Sequence, residues 1–501
     1  MNEELVTIFP GDTVAVALED LPAGYRARIG ASGHLTLIDA VPFGHKVALE
    51  DIPAGGIITK YGAPIGHAVT PIARGQHVHV HNCRTNLGDV LEYTYLPDTD
   101  ILSSFGRDRE YVFDGYAREN GSAGTRNEVW IIPTVGCVNN TAQHLARLAN
   151  ERFASRCDGV FAYGHTMGCS QMGNDHAVTQ ELLAGLIAHP NAGGVLVLSL
   201  GCENNNLDVF TPVLEQHGAL GDRVRFLVTQ DADDEYAAGL ALLDELTAQA
   251  ARCRRRPLSA EKLVLGFKCG GSDAFSGITA NALCGRVNDR LVRAGGSTIL
   301  TEVPEMFGAE TRLMARAASE AVFEDIVRLI NDYKGYFIRY GQTIYENPSP
   351  GNKAGGISTL EEKSLGCIQK GGQAPVAGVL GYGQHVRSRG LNLLTGSGND
   401  QVSCTNLVAS GANLVLFTTG RGTPLGTPVP TLKISSNSKL FERKRNWMDF
   451  NAGRILEGVG MEETADALMA LILDVASGRT QTRNEVNGYR DISLFRDGVI
   501  L

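Results

Sequence analysis

The stretch GVLVLSLGC, residues 194–202, decides the fold. It is apolar at almost every position and stops at Gly201. A strand that is apolar throughout is buried on both faces, the condition of a parallel sheet covered by helices. The same kind of run occurs at 129–133 (VWIIP), 262–267 (KLVLGF) and 413–417 (NLVLF). Helical patterns follow, as in TAQHLARLA at 141–149 and LALLDEL at 240–246. Strands alternating with helices predict α/β architecture from Tyr116 onward, with mainly parallel sheets.

Upstream of Tyr116 the pattern is different. VAVA at 14–17, KVAL at 46–49 and HVHVH at 77–81 are short runs between Pro and Gly turns, which predicts a small β domain. LPAG at 21–24 repeats as IPAG at 52–55, and DTVAVALED at 12–20 resembles HKVALED at 45–51. Two similar β units folded around each other would produce this. Residues 98–114 are polar and interrupted by glycine, and read as a linker. The charged stretch near 250–260 reads as a solvated boundary. The expected divisions are 1–97, 98–114, 115–255 and 256–501: a multidomain α/β protein in which a small N-terminal β domain precedes two α/β regions.

Composition limits the function. A length of 501 residues suits two to four domains. The net charge of -10 and the lack of a basic tail argue against nucleic-acid binding. The start, MNEELVTIFPGDTVAV, lacks the basic and apolar regions of a signal peptide, so a cytoplasmic enzyme with reduced thiols is expected. No run approaches the ~18 apolar residues of a membrane helix. Symmetric oligomers are common among soluble enzymes, so a homodimer is the expected assembly.

Four strand ends carry a cysteine: TVGC (Cys137), HTMGC (Cys169), SLGC (Cys202) and FKCGG (Cys269). Ligands of open α/β folds bind beyond such ends, so the four are expected to converge as ligands of a borderline metal. His77, His79 and His81 recur with period two and are expected on one strand face, with His79 and His81 as metal ligands. His45 and Lys46 could join that site, and His165 is a further candidate catalytic group. A lysine or histidine is the expected base for removing a proton alpha to a carboxylate. Glu302 and Glu305, after STILT at 297–301, are spaced like ligands or acid/base groups, although a surface pair would look the same. The turns GGSD at 270–273, GSGND at 396–400 and TGRGTP at 419–424 offer backbone N–H groups, and Arg421 a guanidinium, to a carboxylate. GGSD is expected to follow a strand and precede a helical stretch, whose N-terminus could take a carboxylate.

The chain resembles the altronate/galactarate dehydratase family. GHKVAL at 44–49, KYGAPIG at 60–66 and HVHVHN at 77–82 look like that family's SAF domain, a β-clip-like fold. GTRN at 124–127 and PTVGCVN at 133–139 resemble its central region. FKCGGSDAFSGITAN at 267–281, GNKAGGISTLEEKS at 351–364 and LFTTGRGTP at 416–424 resemble its C-terminal part. NWMDFNAG at 446–453 is closer to the altronate branch than to the galactarate branch. The resemblance implies conversion of D-altronate to 2-dehydro-3-deoxy-D-gluconate and water, with ferrous iron as the metal and manganese as an alternative. Arg126, Asn127, Gly271, Ser272, Asp273 and Arg421 are the expected substrate contacts.

In this reading Lys46 or a nearby histidine takes the C2 proton, and a second acid protonates the departing C3 hydroxyl. The β domain is expected to cap the α/β part, so that the histidines face the cysteine-bearing strand ends. Three rival readings remain at this point. The cysteines could hold an iron–sulfur cluster. A related lyase could expel sulfite. The protein could bind a sugar acid without turning it over.

Overall fold

The structure is a computed structural model that describes residues 3–88, 90–153 and 155–498. The N-terminal β domain has a six-stranded sheet in the order Gly33–Thr36, Arg26–Ile29, Leu5–Val6, Val14–Ala17, Lys46–Ala48, His77–Val78. A second sheet joins Ile57–Lys60, Ala63–Ala68 and Cys83–Arg84. The sequence repeat is visible in the backbone. Leu21 bridges Val41, and Ile52 bridges Ile72 in the same antiparallel way. The turns after these residues close on Gly24, Gly44, Gly55 and Gly75, all at positive φ, where a side chain would strain the backbone. The two repeated runs are direct partners, with Val16 opposite Lys46.

HVHVH differs from its expected form. The strand is only His77–Val78. The Asn82 side chain accepts from the His79 N–H, and the Asn82 N–H donates back to the His79 carbonyl. This local closure competes with the sheet ladder and turns the chain.

The second region is a four-stranded sheet in the order Val160–Ala162, Glu128–Pro133, Ala192–Ser199, Val224–Val228, with every pairing parallel. Ala192–Ser199 is buried at all positions, as its apolar sequence requires. The third region is a seven-stranded parallel sheet. Val264–Cys269 lies at its centre, between Ser297–Leu300 and Leu414–Thr419. Gly390–Leu394 and Val376–Leu380 extend one side, Thr431–Ser435 and Phe450–Asn451 the other. The expected multidomain α/β architecture with mainly parallel sheets is present.

Helices Gly173–Ala188 and Asp400–Ala409 clamp the two α/β regions together. A Cβ on Gly185 would come within 2.2 Å of the Ala409 carbonyl, so glycine permits the close approach. One hydrophobic core runs from Trp130 and Leu186 to Leu407 and Val415. Another joins Ile58 and Ile65 of the β domain to Phe267 and Phe307. The basic stretch near 255 is not a free linker: Arg256–Ser259 pairs with Val112–Ala117, and Arg255 donates to the carbonyls of Asp114 and Ala476. The expected linker contains helix Thr99–Ser104, capped by Asp98.

Candidate active site

The first part of the site is built where the β domain meets helix Leu360–Cys367. Lys46 is fully buried in a strand, yet its Nζ reaches three acceptors: the Gly356 carbonyl at 2.7 Å, Ser358 Oγ at 2.8 Å and Glu362 Oε2 at 2.9 Å. Lys60 Nζ lies 2.8 Å from the other Glu362 oxygen. Burial alone would raise the Glu362 pKa, but the two ammonium groups bring it to about 2. Burial pulls Lys46 below its ordinary value. One carboxylate facing two lysines makes this cluster net positive, which suits an anionic ligand.

The histidines are attached to the same network. His79 Nδ1 is 3.0 Å from Ser358 Oγ, and His45 Nδ1 is 2.9 Å from His77 Nε2. Ring centroids of His45 and His79 are 4.6 Å apart, and those of His77 and His81 5.2 Å. Burial lowers the pKa of His45, of His77 to about 4 and of His79 to about 3. The rings are therefore neutral near pH 7 and keep a lone pair for a proton or a metal. The four histidines do meet, but through the turn at 79–82 and His45 of the neighbouring strand, not along one strand face.

The second part sits at the carboxyl end of the central strand Val264–Cys269. Cys269 Sγ lies 3.5 Å from Glu302, 3.3 Å from Glu305 and 3.9 Å from Cys367 Sγ. One ligand atom from each of the four falls within 4.8 Å of the others, so together they could hold a metal ion. Glu302 has φ of +73° although it is not glycine, a strained conformation worth about 1–3 kcal/mol. That backbone aims its carboxylate at Lys268 Nζ (2.5 Å) and Lys370 Nζ (2.7 Å). Lys363 Nζ is 2.9 Å from Glu305. Burial would raise the Glu305 pKa, but these lysines hold it at about 2.

A small cavity of about 10 Å³ lies between the two parts. Lys60, Tyr61 and Glu362 line one side of it, and Cys269, Ser272 and Lys363 the other. Ser272 Oγ is buried and has no hydrogen-bond partner, so a ligand hydroxyl would satisfy it. Gly271, at φ +62°, accepts at its carbonyl from the N–H groups of Gly420 and Arg421 and pins the two glycine turns together. Arg421 is exposed on the turn beside Gly271, with one weak bond to the Gly351 carbonyl. The Asp273 carboxylate is used internally: Ser276, Ser436 and Asn437 all donate to it. GGSD does not open directly onto a helix, because the next helix begins at Ala280.

Several expected site residues lie elsewhere. Arg126 is buried, and its guanidinium bonds Glu485 at 2.7 Å and the carbonyls of Thr125 and Val475. Asn127 donates to the Ala250 carbonyl. Arg126 holds the second region to the third, Asn127 braces the second region internally, and their donors are taken up by protein. His165 is buried, with Nε2 2.8 Å from the Pro133 carbonyl. Cys137, Cys169 and Cys202 are exposed beyond the four-stranded sheet, whereas Cys269 is buried at the end of the seven-stranded one. The four cysteines therefore do not share one site.

The chain matches three family descriptions in sequence order. Residues 3–86 match the altronate/galactarate dehydratase SAF domain, and residues 115–251 the second domain of D-galactarate dehydratase/altronate hydrolase. Residues 260–500 match the D-galactarate/altronate dehydratase C-terminal domain. An altronate dehydratase of Bacillus subtilis is 49% identical over the whole of both chains. The chain belongs to the altronate/galactarate dehydratase family. An altronate dehydratase of Escherichia coli is 47% identical over 99% of this chain and 100% of its own. A galactarate dehydratase (L-threo-forming) of Escherichia coli is 35% identical over 98% of this chain and 96% of its own. Among the described residues, no helix of this dehydratase-family chain is long and apolar enough to cross a membrane.

The dehydratase family implies a divalent metal. The donors of Cys269, Glu302, Glu305 and Cys367 suit a borderline first-row ion by type and spacing. Lys268, Lys363 and Lys370 already neutralise those carboxylates, so an entering cation would have to displace ammonium groups or release their protons. Sequence reasoning missed Lys60, Ser358, Glu362, Lys363, Cys367 and Lys370. The only signal for Glu362 was its place three residues after Thr359, the helix N-cap.

Proposed function

We propose that this enzyme dehydrates D-altronate to 2-dehydro-3-deoxy-D-gluconate, in the cytoplasm, with ferrous iron as its metal. The observation that carries the reading is that Glu362, tied through Lys46 and Ser358 to His79, faces the Cys269 group across one small cavity. Full-length similarity to two altronate dehydratases supports altronate over galactarate.

A polyhydroxy carboxylate matches these groups by charge and by hydrogen bonding, and the cavity of about 10 Å³ between them has to widen to admit it. In this reading Arg421 receives the carboxylate and Ser272 a hydroxyl. Lys46 donates to three acceptors, so in this arrangement its Nζ has no lone pair and acts as an ammonium. It holds Ser358, and Ser358 orients His79. With Nδ1 bonded to Ser358, His79 presents Nε2 to the substrate. His79 Nε2 takes the C2 proton, and the electron pair moves toward the carboxylate. As the C3–O bond breaks, the pair forms the C2–C3 double bond. The imidazolium, a strong acid because its site depresses its pKa, returns the proton to the departing hydroxide as water. The resulting enol becomes the 2-keto acid. A metal held by Cys269, Glu302, Glu305 and Cys367 would supply charge stabilisation for the enediolate. A homodimer remains the expected assembly on base rates.

The test is anaerobic turnover of altronate, galactarate, glucarate, mannonate and gluconate with Fe²⁺, Mn²⁺, Mg²⁺ or chelator, detecting 2-keto-3-deoxy acids. Metal-dependent product from altronate supports the reading. Product from another acid only moves the substrate. A folded protein that is inactive with every metal overturns it.

A further inference from the structure

Of the ten cysteines, three are exposed: Cys137, Cys169 and Cys202. Free cysteine is among the most buried residue types, so three exposed thiols in one region call for an explanation. Each follows a glycine. Each also stands at the carboxyl end of a strand: Glu128–Pro133, Val160–Ala162 and Ala192–Ser199. Those strands are immediate neighbours, with Glu128–Pro133 in the middle, and neighbouring strands lie ~4.8 Å apart.

The three loops interlock. The Gly136 N–H donates to the Met167 carbonyl, and the Asn205 N–H to the Gly168 carbonyl. The Ser170 N–H donates to Asn204 Oδ1 at 2.7 Å. Glu203, buried below, accepts from Thr134 and Ser199 and ties the first loop to the third. The three cysteines thus stand in interlocked loops at the carboxyl edge of one sheet. Even so, they do not all fall within 4.8 Å of one another, the spacing that the Cys269 group meets. A single zinc ion, with Zn–S of about 2.3 Å, needs tetrahedral thiolates ~3.8 Å apart. A larger polynuclear centre keeps its thiolates further apart.

The surroundings favour an anionic group. Each cysteine precedes a helix of eight residues or more: Asn139–Phe153, Gly173–Ala188 and Leu207–Gln216. Three helix N-termini, each the positive end of a dipole, therefore flank the thiols. Ser170, beside Cys169, is one of only three non-glycine residues with positive φ among the described residues. The other two, Tyr61 and Glu302, belong to the active site.

We propose that Cys137, Cys169 and Cys202 ligate a four-iron–four-sulfide cluster on the second domain, separate from the Cys269 group. Three protein thiolates leave the fourth iron open to an oxygen ligand. The site's chemistry stands whether or not altronate is the substrate.

The test is anaerobic reconstitution of the whole protein with ferrous iron and sulfide. Iron and acid-labile sulfide are then counted and the visible spectrum recorded. The expected result is about four sulfides per chain, about four irons beyond the one that the Cys269 group takes, and a broad visible absorbance. Cys169→Ser and Cys202→Ser should each lose most of that absorbance while keeping the wild-type circular dichroism. Cys157→Ser and Cys269→Ser should keep it. A folded wild-type protein with no visible band, or with one zinc per chain on these thiols, overturns the proposal. So does a band that survives Cys169→Ser and Cys202→Ser together.

Discussion

Lys46 Nζ and Glu362 Oε2 are 2.9 Å apart and 316 residues apart in sequence, and both side chains are almost wholly buried. This pair fastens the β domain to the catalytic C-terminal region. Removing one member of a buried pair typically costs about 3–5 kcal/mol, because the other charge stays buried. Glu362→Gln strands two ammonium groups, Lys46 and Lys60, while Lys46→Met leaves Glu362 still paired with Lys60. Glu362→Gln should therefore destabilise the protein more than Lys46→Met. Denaturant unfolding followed by circular dichroism checks the order.

The same carboxylate sets an acid limit. Glu362 and Glu305 both sit at about 2 in the folded protein, below the ordinary 4.5. Lowered carboxylate values stabilise the fold above the unfolded pKa, and that contribution disappears as pH falls through the folded one. Each group is worth about 3 kcal/mol at neutral pH, lost between pH 4.5 and 2. Stability measured against pH should fall steeply across that window. In Glu362→Gln the fall should be shallower by roughly the contribution of one group.

His79 should govern the chemical step. Loss of a general acid–base group typically costs about 10²–10⁴-fold. His79→Gln should lower kcat by that order and change KM little. Because its pKa is about 3, the neutral ring persists through mildly acidic pH, so kcat/KM should show no histidine-like fall between pH 7.5 and 5. A descending limb near pH 6.5 that vanishes in His79→Gln would contradict the assignment.

Metal binding at the Cys269 group should release protons. Lys268, Lys363 and Lys370 have raised pKa values: burial opposes this, but the charges of Glu302, Glu305 and the thiols outweigh it. An arriving divalent cation repels these ammonium groups. Titrating apoprotein with Fe²⁺ in two buffers of different ionisation enthalpy should reveal proton release. Glu302→Gln and Cys269→Ser should weaken binding about 10-fold or more, in the range of disrupted metal sites.

The parts of this molecule legible in sequence are those governed by one local rule. Val195–Leu198 declared a doubly buried strand, and the Gly–Cys ends marked where strands stop. The LPAG and IPAG repeat showed the two β units. Glu362 and Lys363 were not legible. In a helix, LEEKSLGC reads as a solvated face, and only the distant lysines Lys46 and Lys60 make burial of Glu362 tolerable. Arg126 misled for the opposite reason: its motif suggested a ligand contact, but Glu485 in a late helix claims its guanidinium. HVHVH followed its period until Asn82 turned it. Pairings between residues hundreds of positions apart leave no periodicity to read.

Arg421 is the last residue with a sharp expectation. It is exposed, holds one long bond of 3.3 Å to the Gly351 carbonyl, and stands on the turn that Gly271 fixes. Its fork is thus free to take a carboxylate in bidentate fashion, which a lysine cannot reproduce. Hydrogen bonds to charged groups are worth about 1.5–3 kcal/mol, or about 10- to 100-fold in affinity. Arg421→Lys should therefore raise KM for altronate by that factor and leave kcat within a few-fold. Nothing in the fold depends on this side chain, so the melting temperature should not move. A variant with unchanged KM would place the substrate carboxylate deeper, against the lysines around Glu362.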